Sequence, residues 1–218
     1  MTIADFTREQ LAGLQIAPTR PLVICDVDDV VVHFLRAFEA RLDREGLRFD
    51  AQSFALHGNI KDKTTNRIIE AGTIATLIDD FFDSETQHLE AIAGAVQSLL
   101  YLSRDSTVVM LTNLPHHARE KRIHNLRNHG LEFPVVTNAG PKGPVIRHLA
   151  AQTTGPVVFV DDSPNFIQSA RDHAPHVHLV HFLHDQRFAK VIDPFDYVSL
   201  NASTWPEMQA HIETLLSS

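Results

Sequence analysis

The sequence predicts an α/β fold, a three-layer, Rossmann-like parallel sheet with helices on its faces. Short continuous apolar runs rich in β-branched residues recur along the chain: Leu22-Val23-Ile24-Cys25, Val108-Val109-Met110-Leu111 and Val157-Val158-Phe159-Val160. Such runs suit strands buried on both faces, as in a parallel sheet. Helical patterns alternate with them, and that alternation indicates parallel strands joined by crossovers. The runs also end in residues that carry chemistry, namely Asp26-Val27-Asp28-Asp29, Thr112-Asn113 and Asp161-Asp162-Ser163. In open α/β sheets ligands bind outside the carboxyl ends of the strands, where these groups fall.

Taken in order, residues 2–15 are expected as a short amphipathic helix with Phe6, Leu11 and Leu14 facing the body. Pro18 and Pro21 punctuate the entry into the first strand. Beyond Val32, Phe34, Leu35, Phe38 and Leu42 recur at helical spacing, and Gly46 ends that run. A polar stretch occupies 50–66, and helical patterns resume at 67–82 and 85–102. Then the rhythm becomes regular. A strand at 107–112 precedes a helix at 117–129, stopped by Gly130, and a short strand at 133–137 leads to a helix over 145–152. A strand at 156–160, a helix at 165–173 and a strand at 177–182 follow. Pro206, early in a helix that runs to about Leu216, closes the chain.

Asp28 and Thr112 are separated by 84 positions (112 − 28 = 84), whereas a crossover needs about a dozen or slightly more. The surplus reads as mostly helical, without strand patterning. It divides the chain into a core of 1–32 and 91–218 and a small helical cap of 33–90. Within it, HGNIKDKTTNR carries three bases against one acid in an otherwise acidic chain. If helical, Ile60, Thr64, Ile68 and Ala71 form its inward stripe. Asn59, Lys63 and Asn66 then line the neighbouring face with Arg67 at its border, giving Lys63 and Arg67 as candidate substrate-binding cations.

Composition removes several classes. A net charge of −8 argues against extended nucleic-acid binding, which needs a basic footprint. No run approaches the roughly 18 apolar residues of a membrane span, so no membrane association is expected. The opening MTIADFTREQ has an acid and no apolar core, unlike a secretory signal, and a cytoplasmic location is expected. The single cysteine, Cys25, excludes an intrachain disulfide and multi-cysteine metal sites. Of the 14 histidines, His176, His178 and His181 lie on one apparent strand without an HExxH pattern and read as surface or rim residues. Oligomeric state leaves no mark in the sequence.

Asp26 and Asp28, two apart on an extended chain, can point the same way. They suit either a shared hard cation or a division into nucleophile and acid/base. Asp161-Asp162 before a helix suits an N-cap with first-turn acids as well as a metal site. Together the ordered motifs, Asp26-Val27-Asp28, Thr112, Lys142 in GPKGPVI and Asp161-Asp162, resemble the haloacid dehalogenase superfamily over roughly residues 21–181. That superfamily consists mostly of phosphohydrolases.

The resemblance implies a phosphatase that cleaves a small phosphorylated substrate through an aspartyl phosphate. Asp26 would be the nucleophile, and Asp28 the acid that protonates the leaving oxygen and then deprotonates water. The true dehalogenases lack an acid at the Asp28 position, so phosphoryl chemistry is favoured. Thr112 and the Asn113 amide would bind the transferring phosphoryl oxygens, and Lys142 would neutralise charge. Mg²⁺ would be held by Asp26, the Asp28 backbone carbonyl and Asp162, with Asp161 acting through water or as an orienting group. Two departures stand out. Asp29-Val30 replaces the usual glycine and threonine, and Gly143 separates Lys142 from Pro144. A phosphomutase of the same superfamily and a non-catalytic binder of phosphorylated ligands are the alternatives. A response-regulator receiver fits poorly, since its acidic pair comes near the first strand and its lysine last. A Rossmann dinucleotide site lacks its G-x-G-x-x-G after the first strand.

Overall fold

The computed structural model describes residues 3–217; residues 1, 2 and 218, included in the expected first helix and core, lie outside that range. Among the described residues, six parallel strands form one sheet in the order β5-β4-β1-β6-β7-β8. They are β1 (Leu22–Cys25), β4 (Thr107–Thr112), β5 (Val135–Thr137), β6 (Val157–Asp161), β7 (His178–Phe182) and β8 (Leu200–Ala202). The last of these had no clear signature in the sequence.

The side chains of each strand alternate between two separate apolar cores, as the two-residue period of a strand requires. Val23, Cys25, Val108, Met110, Val158 and Val160 face one core. Leu22, Ile24, Val109, Leu111, Val157 and Phe159 face the other. This is why the strands read as unbroken apolar runs. The second core is closed by Leu11 of α1 (Asp5–Ala12), Ile146 and Leu149 of α6 (Gly143–Ala150), and Ile167 and Ala170 of α7 (Pro164–His173). The first takes Leu35, Phe38 and Leu42 of α2 (Phe34–Arg44) and Leu99 of α4 (Ala95–Leu102). Leu126 of α5 (Arg119–Asn128) and Met208 and Ile212 of α8 (Trp205–Leu216) complete it. The result is the three-layer α/β arrangement that the sequence predicts.

The segment between α2 and α4 differs from its helical expectation. Leu47–Phe49 (β2) and Ile60–Asp62 (β3) pair antiparallel, and α3 (Ala71–Glu85) begins only afterwards. Local hydrogen bonds hold the polar stretch extended. The amides of Thr64 and Thr65 donate to Asp62 Oδ1 at 3.0 and 2.6 Å, and the Ile69 amide donates to the Ile60 carbonyl at 2.9 Å. Side-chain bonds of this kind compete directly with helix formation. The proposed helical stripe is therefore absent, with Ile60 buried but Ile68 60% exposed. Ile60, Ile74 and Phe81 instead join the core beneath the sheet's first face.

The expected helix over 85–102 is interrupted as well. A 3₁₀ turn at Thr86–His88 is followed by an irregular stretch, and α4 starts after Gly94. Gly94 adopts φ +87°, and a Cβ there would lie 3.1 Å from Trp205 Cβ, so the break serves the packing of α8. No helix of the described residues is long and apolar enough to cross a membrane.

Candidate active site

From β5 at one edge the chain crosses to β6 on the far side of β1, so the connections leaving β1 and β6 run outward in opposite directions. That switch point opens a crevice at the carboxyl ends of the two strands. Asp26 directly follows β1, and Asp161 and Asp162 end and follow β6. Their carboxylate oxygens lie within 4.8 Å of one another. An all-oxygen, all-carboxylate set of this size fits a hard divalent cation such as Mg²⁺. Asp28, whose backbone carbonyl was the expected ligand, contributes no side-chain oxygen to the cluster.

Lys142, at the head of α6, is completely buried among these acids. Its Nζ donates to Asp26 Oδ1 and, at 2.6 Å, to Asp161 Oδ2, and it lies 4.8 Å from the centre of the Phe166 ring. Burial alone would lower the ammonium's pKa, but Asp161 and Asp26 outweigh it and raise the pKa, so Lys142 stays charged. Asp161 Oδ1 accepts from the Ser163 amide at 2.8 Å. Both oxygens of Asp161 are thereby engaged. Burial pushes Asp26 up to about 7, against the pull of Lys142, and Asp161 and Asp28 push in the same direction as burial. Burial raises Asp162 too, with Asp161 and Asp26 adding to the effect. Acids crowded this way gain from a bound cation.

The second half of the site is centred on Asp28. Thr112, at the end of β4, is buried and its Oγ1 donates to Asp28 Oδ2 at 3.3 Å. Arg122 of α5, entirely buried, donates through NH2 to Asp28 Oδ1 and through NH1 to Asn125 Oδ1 at 3.3 Å. Nothing in REKRIHNLRN marks Arg122 as buried rather than solvated, and sequence reasoning missed it. Asn113 lines the cavity above the acids, with its Nδ2 donating to the Gly140 carbonyl at 2.8 Å and its Oδ1 accepting from Asn138 at 3.0 Å. Asn138, also missed, is thereby the brace of Asn113.

Asp29 and Gly143, one from each departure from the motif pattern, have a structural reason. Asp29 stands at φ +56°, the left-handed region that usually favours glycine and that aspartate tolerates better than most residues. Both of its carboxylate oxygens accept from the Leu35 amide at 3.0 Å, in the first turn of α2, and Asp29 does not join the carboxylate cluster. Burial lifts Asp29 to about 8, with the Leu35 hydrogen bond pulling the other way. Gly143 sits where a Cβ would fall 2.1 Å from the Ser169 carbonyl oxygen, so no larger residue fits between Lys142 and α7.

Lys63 and Arg67 do not reach this site. Both are exposed, neither lines the cavity over Asp26, and Lys63 pairs with Asp43. The physical reason is the hairpin, which replaces the helix that would have aligned them. Asn59 and Asn66 are also placed differently. Asn59 is buried and donates to Ser53 and Ala55, while Asn66 accepts from Arg48 at 2.6 Å. Of the three histidines expected on one strand, His176 precedes β7 and is exposed and His178 is half-buried, but His181 is buried and its Nε2 donates to the Asp162 carbonyl at 3.0 Å. Burial lowers its pKa, so the neutral ring serves as a brace behind the acids.

The cavity over the acids has a volume of about 310 Å³. No protein-family model matches the chain, and no curated protein matches it in sequence. Solved structures do match it. A protein from Burkholderia xenovorans assigned as a haloacid dehalogenase-like hydrolase superposes at TM-score 0.63 and 14% identity, over 91% of this chain and 99% of the other. A HAD family hydrolase from Deinococcus radiodurans, solved with bound phosphate and sodium, gives 0.57 and 14%, over 91% and 97%. A protein from Thermotoga maritima assigned as a β-phosphoglucomutase gives 0.56 and 12%, over 90% and 100%. With its six-stranded parallel sheet and acids at the switch point, this chain has the haloacid dehalogenase-like fold.

Proposed function

We propose that the protein is a Mg²⁺-dependent phosphohydrolase that cleaves a small phosphate monoester through an aspartyl phosphate on Asp26. The observation that carries this reading is the convergence of Asp26, Asp161 and Asp162 around one point, with the buried Lys142 bridging two of them. When bound, the cation supplies charge neutralisation for an anionic carboxylate meeting an anionic phosphoryl group.

The chain's own residues carry the remaining work. Asp26 Oδ attacks phosphorus while the bond from phosphorus to the ester oxygen breaks, and that oxygen takes the proton that Asp28 carries in its acid form at the start of the cycle. Asp28 then removes a proton from water as it attacks the phosphoryl group, releasing phosphate and freeing Asp26. Arg122 and Thr112 hold the two Asp28 oxygens in place for both transfers. Lys142 compensates the negative charge from below without reorganising. The insert between α2 and α4 acts as the cap that excludes water. A mutase must also seat a second phosphoryl group, and the side chains lining the cavity include no cation for one.

A screen of phosphate monoesters with Mg²⁺, using Asp26→Asn as control, tests the proposal. Phosphate release by the native protein and none by Asp26→Asn, with phosphoryl trapped on the native chain, is expected. Halide release from haloacids that is indifferent to chelation would overturn it.

A further inference from the structure

The same cavity has two chemically distinct ends. Its polar lining residues are Asp26, Asp28, Asp29, Asn113, Asp162 and Ser163, which include the phosphoryl end, and all the rest of the wall is apolar. Phe34, Phe54, Leu56, Ile78, Phe82 and Phe188 line it, and they come from widely separated parts of the chain. Phe34 and Phe82 belong to α2 and α3, Phe54 to the loop between β2 and β3, and Phe188 to a 3₁₀ turn after β7. Helical periodicity within one element does not account for such a convergence.

The wall is braced. Phe34 packs against Phe38, Phe81 and Phe82 with ring centres 5.3 to 5.6 Å apart. Phe54 and Phe188 meet at 5.0 Å. The buried Asn59 amide holds the loop on both sides of Phe54, donating to the carbonyls of Ser53 at 3.1 Å and Ala55 at 2.7 Å. No cationic side chain is among the lining residues, and the expected cap cations Lys63 and Arg67 lie elsewhere.

From this division, and resting on the phosphohydrolase reading for its phosphoryl end, we infer that the substrate's organic group is apolar, of about the size of one aromatic ring. The volume sets the size. A cavity of about 310 Å³ stands at the small end of the ~300–1,000 Å³ usual for ligand sites. An apolar cavity of ~150 Å³ accepts benzene, so this one has room for one ring and a phosphoryl group. The lining sets the chemistry. A sugar or polyol would bring hydroxyls against phenylalanine and leucine, where they lose water and gain no partner. A second phosphate or a carboxylate would meet acids and apolar side chains and no cation.

The test uses the full-length protein with Mg²⁺ and measures two things: binding of benzylphosphonate against 2,3-dihydroxypropylphosphonate by calorimetry, and hydrolysis of benzyl phosphate against glycerol 1-phosphate. Both esters have primary-alcohol leaving groups, so the comparison isolates the wall from leaving-group reactivity. Benzylphosphonate is expected to bind at least about tenfold tighter, the usual scale of discrimination by an apolar pocket. Leu56→Gln and Ile78→Gln, at half-buried wall positions, should erode that preference. Equal or weaker binding of benzylphosphonate, or a preference untouched by either substitution, overturns the inference, whichever ester is hydrolysed. Selective benzylphosphonate binding with no hydrolysis of any ester supports the apolar pocket and removes the phosphohydrolase reading instead.

Discussion

Gly143→Ala is a sharp test of how the fold places its buried lysine. A Cβ at this position would lie 2.1 Å from the Ser169 carbonyl oxygen and 2.7 Å from its carbon, whereas real Cβ contacts stay beyond 3.0 Å. The head of α6 and the body of α7 must therefore separate by about 0.9 Å (3.0 − 2.1). The obstacle is backbone, so no side-chain rotation relieves it. Overpacking of this kind costs about 1–3 kcal/mol, and for a domain of this size each kcal/mol lowers Tm by roughly 2–4 °C. Lys142 directly precedes the displaced residue and holds Asp161 at 2.6 Å. Misplacing a catalytic group by ~1 Å can cost about 10²-fold in rate. Thermal unfolding and phosphate release on the same preparation should thus show both losses. Ser169→Ala is the control: it removes only the hydrogen bond from the Gly143 amide to Ser169 Oγ at 3.0 Å, worth about 1 kcal/mol. A Gly143→Ala protein with unchanged Tm and unchanged turnover would refute the close-approach reasoning.

Three further outcomes are expected. Burial raises the folded-state pKa of Asp29 from 3.8 to about 8, so its contribution is fully present below about pH 4 and lost as pH rises through 8. Asp29→Asn should therefore flatten the decline in stability of the metal-free protein over that window, and an unchanged pH–Tm profile would contradict the assignment. Arg122→Met leaves Asp28 without its buried partner and should cost about 3 kcal/mol in urea unfolding along with most of the turnover; Arg122→Lys should recover part of both, and full activity in Arg122→Met would show that the pair is ornamental. Chelation should abolish phosphate release, and adding Mg²⁺ at about 100 times its Kd should stabilise the folded state by about 2.7 kcal/mol, whereas a Tm indifferent to both would argue against a cation among Asp26, Asp161 and Asp162.

The sequence by itself determined the sheet and the identity of the groups at its carboxyl edge. A strand buried on both faces must be apolar at every position, so residues 22–25 and 157–160 stand out without any knowledge of their neighbours. Polar residues that break such runs stand out equally, and Asp26, Thr112 and Asp161-Asp162 were found that way. The order of the strands, which brings β1 beside both β4 and β6, was not legible, because pairing depends on crossovers spanning dozens of residues. The insert was misread for a related reason. Its hairpin is short, and what holds it is an aspartate turn at Asp62 and backbone bonds between Ile60 and Ile69, neither of which leaves a periodic pattern. Arg122 and Lys63 show the same limit for charge. Both are cations in polar stretches, yet one is sealed against Asp28 and the other pairs with Asp43 in solvent. Only tertiary packing decides which cation is desolvated, and it also gathers phenylalanines from four segments into one wall, since burial is a property of the assembled surface and not of any local stretch of chain.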